Sequence, residues 1–253
     1  MSSDLLEDIR QVLAFEKRQK RTNMTIIKVR GESKEGTYMP EKKYKGVIFD
    51  LDGVLVFTDH YHYLAWKRLA DEEGIYFDET INDRLRGVSR MDSLEIILEK
   101  SRRRYSFAEK AALAERKNNY YKEYLKTMSP SSVRKETRAT LVELRKRSYR
   151  LAIGSSSKNT KFILNQTDLA SYFDAVSDGT NITKSKPDPE VFLKAADFIS
   201  LEPKDCVVME DAFAGIDAGY NGGFDTIAIG EATKYDRPTY KVMQFEDILE
   251  ILK

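Results

Sequence analysis

The chain has 253 residues, 41% hydrophobic and 33% charged, with 42 Lys and Arg against 41 Asp and Glu. That length buries a sizeable core in one large or two smaller domains, and a net charge of +1 gives no overall field for nucleic acid or an anionic membrane. One cysteine excludes an internal disulfide and a Cys-based zinc site.

No apolar stretch approaches the ~20 residues that span a bilayer. The chain's start, Ser2-Ser3-Asp4-Leu5-Leu6-Glu7-Asp8, has neither the basic opening nor the apolar run of a signal peptide. A cytoplasmic protein without membrane or nucleic-acid partners is expected.

Residues 4–20 fit an amphipathic helix with Leu5, Leu6, Ile9, Val12 and Leu13 on one face. It runs into the basic cluster Lys17-Arg18-Gln19-Lys20-Arg21, better read as a solvated end than as a phosphate contact. Residues 22–43 are polar, with Gly31, Gly36 and Pro40, and read as a linker. Residues 1–43 therefore form an extension to which the sequence assigns no function.

From Tyr44 onward strands and helices alternate, which predicts an α/β fold with a mostly parallel, Rossmann-like sheet. Lys45 to Phe49 is a short buried strand that stops at Asp50-Leu51-Asp52-Gly53. Side chains alternate along a strand, so Asp50 and Asp52 point to the same side. Two carboxylates so close repel and call for a cation or a shared proton. An Asp-Gly turn closing a hairpin fits the same four residues.

A long helical stretch follows, with helices predicted over 60–73, 90–100 and 107–126. Ser89 with Asp92 and Ser106 with Glu109 have capping-box spacing. The stretch is too long for a βα loop and predicts a cap of residues 59–133, inserted into a core of 44–58 and 134–253. Trp66, with Leu64, Ala65 and Leu69, reads as cap core, and His60 as exposed.

Further helices are predicted at 134–147, 158–166 and 189–199, the last with Pro189 at its first position. Strands are predicted at 149–154, 206–209 and 226–229. Cys206, in an apolar run, reads as a buried, inert thiol.

Three more strand ends carry reactive side chains. Ser155-Ser156-Ser157-Lys158-Asn159 offers hydroxyls and backbone N–H groups at a helix entry, an arrangement that binds anions or merely caps the helix. Lys186, before Pro187, has the charge to hold a phosphate or offset the paired aspartates. Glu210-Asp211 adds the oxygen ligands that Mg²⁺ prefers, or simply an acidic helix start. Together these segments make up equipment for phosphoryl transfer.

The set Asp-x-Asp-Gly, Ser after a strand, Lys-Pro and Glu-Asp resembles the haloacid dehalogenase superfamily of phosphotransferases, over roughly residues 44–253. The segments Thr58-Asp59-His60-Tyr61-His62-Tyr63-Leu64-Ala65-Trp66, Arg86-Gly87-Val88-Ser89-Arg90-Met91-Asp92-Ser93, Glu115-Arg116-Lys117-Asn118 and Ser155 to Asn159 resemble its β-phosphoglucomutase branch.

The resemblance implies that Asp50 is the nucleophile that becomes an aspartyl-phosphate and that Asp52 is the general acid/base. It also implies Mg²⁺ held by Asp50, Asp211, the backbone carbonyl of Asp52 and Glu210. Ser155 and Lys186 would grip the transferring phosphoryl group. Arg90, with Ser157 and Asn159, would bind a second, distal phosphate. Lys117, Arg86 and Gly87 would line the sugar, and Thr58 and His62 would sit at the cap hinge, with Ser156 and Lys158 also in the substrate loop.

Solvated helix faces account equally for Lys117 and Arg86. The implied reaction interconverts β-D-glucose 1-phosphate and D-glucose 6-phosphate through β-D-glucose 1,6-bisphosphate, in a monomer whose partner is a small sugar phosphate. A sugar-phosphate phosphatase on the same scaffold is the alternative, and an inactive binding module a more distant one. Phe57 departs from the family pattern, which often has aspartate there, and residues 1–43 have no counterpart in it.

Overall fold

The structure, a computed structural model, describes residues 27–28, 44–85 and 89–253. The helix expected at 4–20, its basic cluster, and Arg86 and Gly87 lie outside the described residues. Six parallel strands form the sheet: β2 (Gly46–Phe49), β3 (Arg150–Gly154), β4 (Ala175–Ser177), β5 (Cys206–Glu210), β6 (Asp225–Ala228) and β7 (Tyr240–Lys241). A seventh, β1 (Ile27–Lys28), pairs antiparallel with β7. The order is β1-β7-β6-β5-β2-β3-β4, so the strand leading to Asp50 lies between β5 and β3.

β1 corrects the reading of residues 22–43 as a linker. Two residues add an edge strand, a segment too short for any hydrophobic period to reveal.

The strands alternate as the pleat requires. Val47 and Phe49 of β2, Leu151 and Ile153 of β3, and Val207 and Met209 of β5 enter one core layer. Ile48, Ala152, Val208 and Cys206 enter the other. Burial on both faces explains why β2 reads as a continuous apolar run. The first layer is closed by helices α5 (Lys135–Lys146), α6 (Thr160–Gln166) and α9 (Ile248–Ile251), through Leu141, Leu144, Ile163 and Ile248. The second is closed by α7 (Glu190–Phe198) and α8 (Phe213–Asn221), through Val191, Phe192 and Ala218. Cys206 is buried as expected, its thiol pushed up to about 12 chiefly by burial.

Between β2 and α5 the chain builds an inserted helical cap: α1 (Asp59–Glu72), α2 (Glu79–Asp83), α3 (Arg90–Leu98) and α4 (Phe107–Leu125). Trp66, Leu69, Ile81, Leu94, Ile97 and Leu113 form its separate core. Ala65, Tyr121 and Leu125 instead join Val54 and Leu55 in the first layer of the sheet domain, which ties α1 and α4 to the core.

The Ser106–Glu109 capping box forms in full. Ser89 accepts from the Asp92 amide, but its hydroxyl donates to the Asp92 side chain (2.6 Å), whose shorter reach leaves that box half-made. Helix α7 begins at Glu190, with Pro189 at the N-cap rather than inside the first turn. Similarly, α6 begins at Thr160 rather than at 158. Among the described residues no helix is long and apolar enough to cross a membrane.

Candidate active site

Three of the reactive segments lie at carboxyl ends of the adjacent strands β5, β2 and β3, where an open α/β sheet presents its ligand crevice, and Lys186 reaches them from the loop between β4 and α7. Asp50 follows β2, with its amide donating to the Met209 carbonyl at 3.0 Å and its side chain nearly buried. Past it the chain turns sharply. Gly53 has φ +84° and donates to the Val56 carbonyl at 2.7 Å, while Asp52 bridges Val56. The tight turn is real, but it leads into the cap rather than into a hairpin.

Two glycines let carboxylates crowd this point. A Cβ on Gly53 would lie 2.0 Å from Asp211 Oδ2, and one on Gly215 would lie 1.9 Å from Glu210 Oε1. The left-handed φ of Gly53 adds a second reason for glycine there.

Lys186 is the charge at the centre. Its Nζ donates to Asp50 Oδ1 and to Glu210 Oε1 (2.7 Å), with only a tenth of the side chain exposed. Glu210 uses its other oxygen to accept from the Ala212 amide at 2.7 Å. The Asp211 carboxylate accepts no hydrogen bond among the described residues, and its backbone carbonyl accepts from Ala232 at 2.9 Å.

One ammonium thus faces several carboxylates, and the titrations reflect it. Burial, followed by Glu210 and Asp52, pushes Asp50 up to about 7, while Lys186 pulls it down. Burial followed by the charges of Glu210 and Asp50 pushes Asp211 up to about 9. Lys186 is held above its usual range: burial opposes its charge, but Asp50 and Glu210 outweigh that.

Asp52 receives a hydrogen bond from Thr58 Oγ1. Burial lifts it to about 6, against that bond. Thr58 therefore spends its hydroxyl on Asp52 instead of capping α1.

The donor set suits a hard divalent cation. Only oxygen ligands are offered, and the carboxylate excess over Lys186 is what such a cation would neutralise. Among the described residues no three His, Cys, Asp or Glu side chains already stand in ligating geometry. Hard divalent cations of the Mg²⁺ type take one or two carboxylates and fill the shell with substrate phosphate and water.

The Ser155 loop sits beside Asp50 on β3. Ser155 is buried, and its Oγ accepts from the Ser157 amide at 3.2 Å, while Ser157 Oγ accepts from the Asn159 amide at 3.2 Å. The Ser156 hydroxyl is buried without a hydrogen-bond partner among the described residues. Lys158 is exposed and, with Asn159, Lys122 and Phe162, lines a cavity of about 470 Å³ between α4 and the start of α6.

Facing them is the cap. Lys117, on α4, is buried rather than on a solvated face. Its Nζ lies 2.8 Å from His62 Nδ1 and over the rings of Trp66 (4.6 Å) and Tyr121 (5.0 Å). Burial and the nearby Arg90 charge lower the lysine to about 7, and burial drops His62 well below its usual range. Trp66 is thus both cap core and the floor under Lys117. His60 is exposed, as expected, and so is Phe57.

Arg90 Nη2 donates to Asn118 Oδ1 at 3.0 Å, and Asn159 Nδ2 donates to the same oxygen at 3.3 Å. Cap and core meet through that atom. The sequence reading quoted Asn118 in the segment Glu115 to Asn118 without giving it a role, and missed Tyr121, whose ring lies 4.0 Å from that of His62. The spacing Lys117–Tyr121 puts both on one helix face and was the available signal for Tyr121. For Asn118 the signal was its place in the segment that carries the resemblance.

Residues 44–223 match the haloacid dehalogenase-like hydrolase family. The chain is 38% identical over 211 residues to the β-phosphoglucomutase of Bacillus subtilis, covering 82% of this chain and 93% of that protein. It is 30% identical over 186 residues to the phosphorylated carbohydrates phosphatase of Thermotoga maritima, covering 72% and 83%. The crystal structure of β-phosphoglucomutase from Clostridium difficile superposes with a TM-score of 0.75 at 33% identity, covering 83% of this chain and 97% of that one.

Proposed function

The chain belongs to the haloacid dehalogenase-like hydrolase family, and from that premise we propose that it is a Mg²⁺-dependent phosphomutase interconverting β-D-glucose 1-phosphate and D-glucose 6-phosphate. Residues 44–58 and 134–253 are its core and 59–133 its cap. The observation that carries the reading is the convergence of Arg90 from the cap and Asn159 from the core on one atom, Asn118 Oδ1, outside the hydrogen-bond cluster of Lys186, Asp50 and Glu210. A mutase needs such a second phosphate site, because its bisphosphate intermediate must present either end to the nucleophile. A phosphatase does not.

Asp50 attacks the phosphorus of β-D-glucose 1,6-bisphosphate, the P–O bond to the sugar breaks, and the phosphoryl group stays on the carboxylate as an aspartyl-phosphate. Asp52 gives its proton to the departing sugar oxygen. In the return step Asp52 takes the proton from the attacking hydroxyl of the other sugar phosphate, and the phosphoryl group leaves Asp50. A carboxyl lifted to about 6 by burial is suited to both directions near neutral pH.

Lys186 and Ser155 neutralise and orient the phosphoryl oxygens. Asp50, Asp211, the Asp52 carbonyl and, directly or through water, Glu210 would hold the Mg²⁺. When bound, it supplies charge neutralisation at the transferring group and keeps Asp50 ionised. Lys117 lines the sugar, with Arg86 and Gly87 assigned there by resemblance alone, while His62, beside Lys117, and Thr58, bonded to Asp52, belong to the cap hinge. Ser156, Ser157 and Lys158 complete the loop that receives the distal phosphate. Closure of the cap excludes water from the aspartyl-phosphate.

The assay is incubation with Mg²⁺, β-D-glucose 1-phosphate and a trace of the 1,6-bisphosphate. Glucose 6-phosphate is the expected product. Stoichiometric free phosphate without glucose 6-phosphate would replace the mutase with a sugar-phosphate phosphatase, the reading that the Thermotoga maritima relative favours.

A further inference from the structure

Asn118 Oδ1 is a single amide oxygen on which two donors converge from opposite sides: Arg90 Nη2 at 3.0 Å from the cap, and Asn159 Nδ2 at 3.3 Å from the core. Both asparagines are nearly buried, at 6% and 7% exposure. Glu115, three residues earlier on the same helix, backs the arrangement. Its Oε1 accepts from Asn118 Nδ2 at 3.4 Å, and its Oε2 lies 3.8 Å from Arg90 Nη1. The oxygen is neutral, but a carboxylate stands directly behind it.

This is how a phosphomonoester oxygen would be received. It would take one guanidinium N–H and one amide N–H, with the charge supplied close by. We propose that Asn118 is an internal placeholder for an oxygen of the distal phosphate. It holds Arg90 and Asn159 in position while no anion is bound and releases both donors to the phosphate when one arrives. The inference rests on the distal-phosphate reading of Arg90 and Asn159.

The physical need for a placeholder follows from burial. Asn159 is shielded from water, and a buried donor without a partner is destabilising. Arg90 begins α3 and is a long side chain whose ordering on binding would weaken affinity. A weak, neutral acceptor satisfies both groups and keeps them oriented. Because it is neutral, a dianion displaces it. A carboxylate at position 118 would not yield so readily.

The test is direct binding of glucose 6-phosphate to the full chain by isothermal titration calorimetry without Mg²⁺, so that no chemistry intervenes. Asn118→Asp should weaken binding at least ten-fold with its circular-dichroism spectrum unchanged, since both donors keep an acceptor and only the long contact to Glu115 is lost. Asn118→Ala removes the competitor together with the pre-orientation of Arg90, two opposed effects, and should bind within about three-fold of the wild type. Arg90→Ala should bind at least ten-fold more weakly.

If Asn118→Ala lost as much affinity as Arg90→Ala, Asn118 would be a direct substrate contact and the placeholder would be overturned. Wild-type affinity in Asn118→Asp would overturn it as well. If Arg90→Ala itself bound like the wild type, the distal-phosphate reading would fall, whatever position 118 did.

Discussion

Asp50→Asn keeps the shape of the side chain and removes the charge that attacks phosphorus. Turnover should fall by at least about 10³-fold, and no hydroxylamine-sensitive phosphoenzyme should be trapped by acid quenching, with the melting temperature close to that of the wild type. Gly53→Ala would force a Cβ against Asp211 at a left-handed φ. It should cost roughly 1–3 kcal/mol of stability, measured by urea unfolding, along with most of the activity.

Lys117 carries the clearest pH signature. Its folded pKa of about 7 lies below the ordinary 10.5, so between those values the unfolded chain binds a proton that the folded chain does not. Stability from this group is fully present above pH 10.5 and is lost as pH falls through 7, at up to ~1.4 kcal/mol per pH unit. Lys117→Met should flatten the rise in stability between pH 7 and 9 seen by denaturation.

Asp50, Asp52, Lys186 and Glu210 were legible in sequence because each follows a recognisable strand or turn. The role of Asn118, quoted only as part of a segment, was not, because only the packing of α3 against α4 and of α4 against the 155–159 loop decides which neighbour of Lys117 faces the cleft.

Helices with strong local signals were readable to within a residue or two. The Ser106 capping box marked the start of α4, and Ser106→Ala should lower the melting temperature by about 2–4 °C with little change in turnover at saturating substrate. Elements without such signals were missed. β4 has three residues and β7 two, and α2 has five, all shorter than the window over which hydrophobic period can be judged. Their place comes from the sheet itself: β4 completes the edge beside β3, and β7 presents the edge that β1 covers.

Across the molecule, the edge strand from the extension is the part that the family pattern does not supply. Ile27→Pro removes an amide donor from the pairing with β7. The expected outcome is a loss of roughly 1 kcal/mol or less, with concentration-dependent association in light scattering as the β7 edge opens. Catalysis should be unaffected, since β7 lies three strands from β2. Arg90→Ala should act across the whole cleft, shifting product from glucose 6-phosphate toward free phosphate, because an intermediate held at one end leaves before it can turn.

The central position of β2 separates the enzyme in time. Hydrogen bonds from β3 and β5 flank the strand that delivers Asp50, and the Asp50 amide is itself bonded to Met209. These protons can exchange with deuterium only when the whole sheet opens. Those of α2 and α3, resting on the small separate cap core, can exchange through local openings. The atom that forms the covalent bond thus belongs to the slowest-breathing part of the protein, and Arg90, at the start of α3, to one of the fastest.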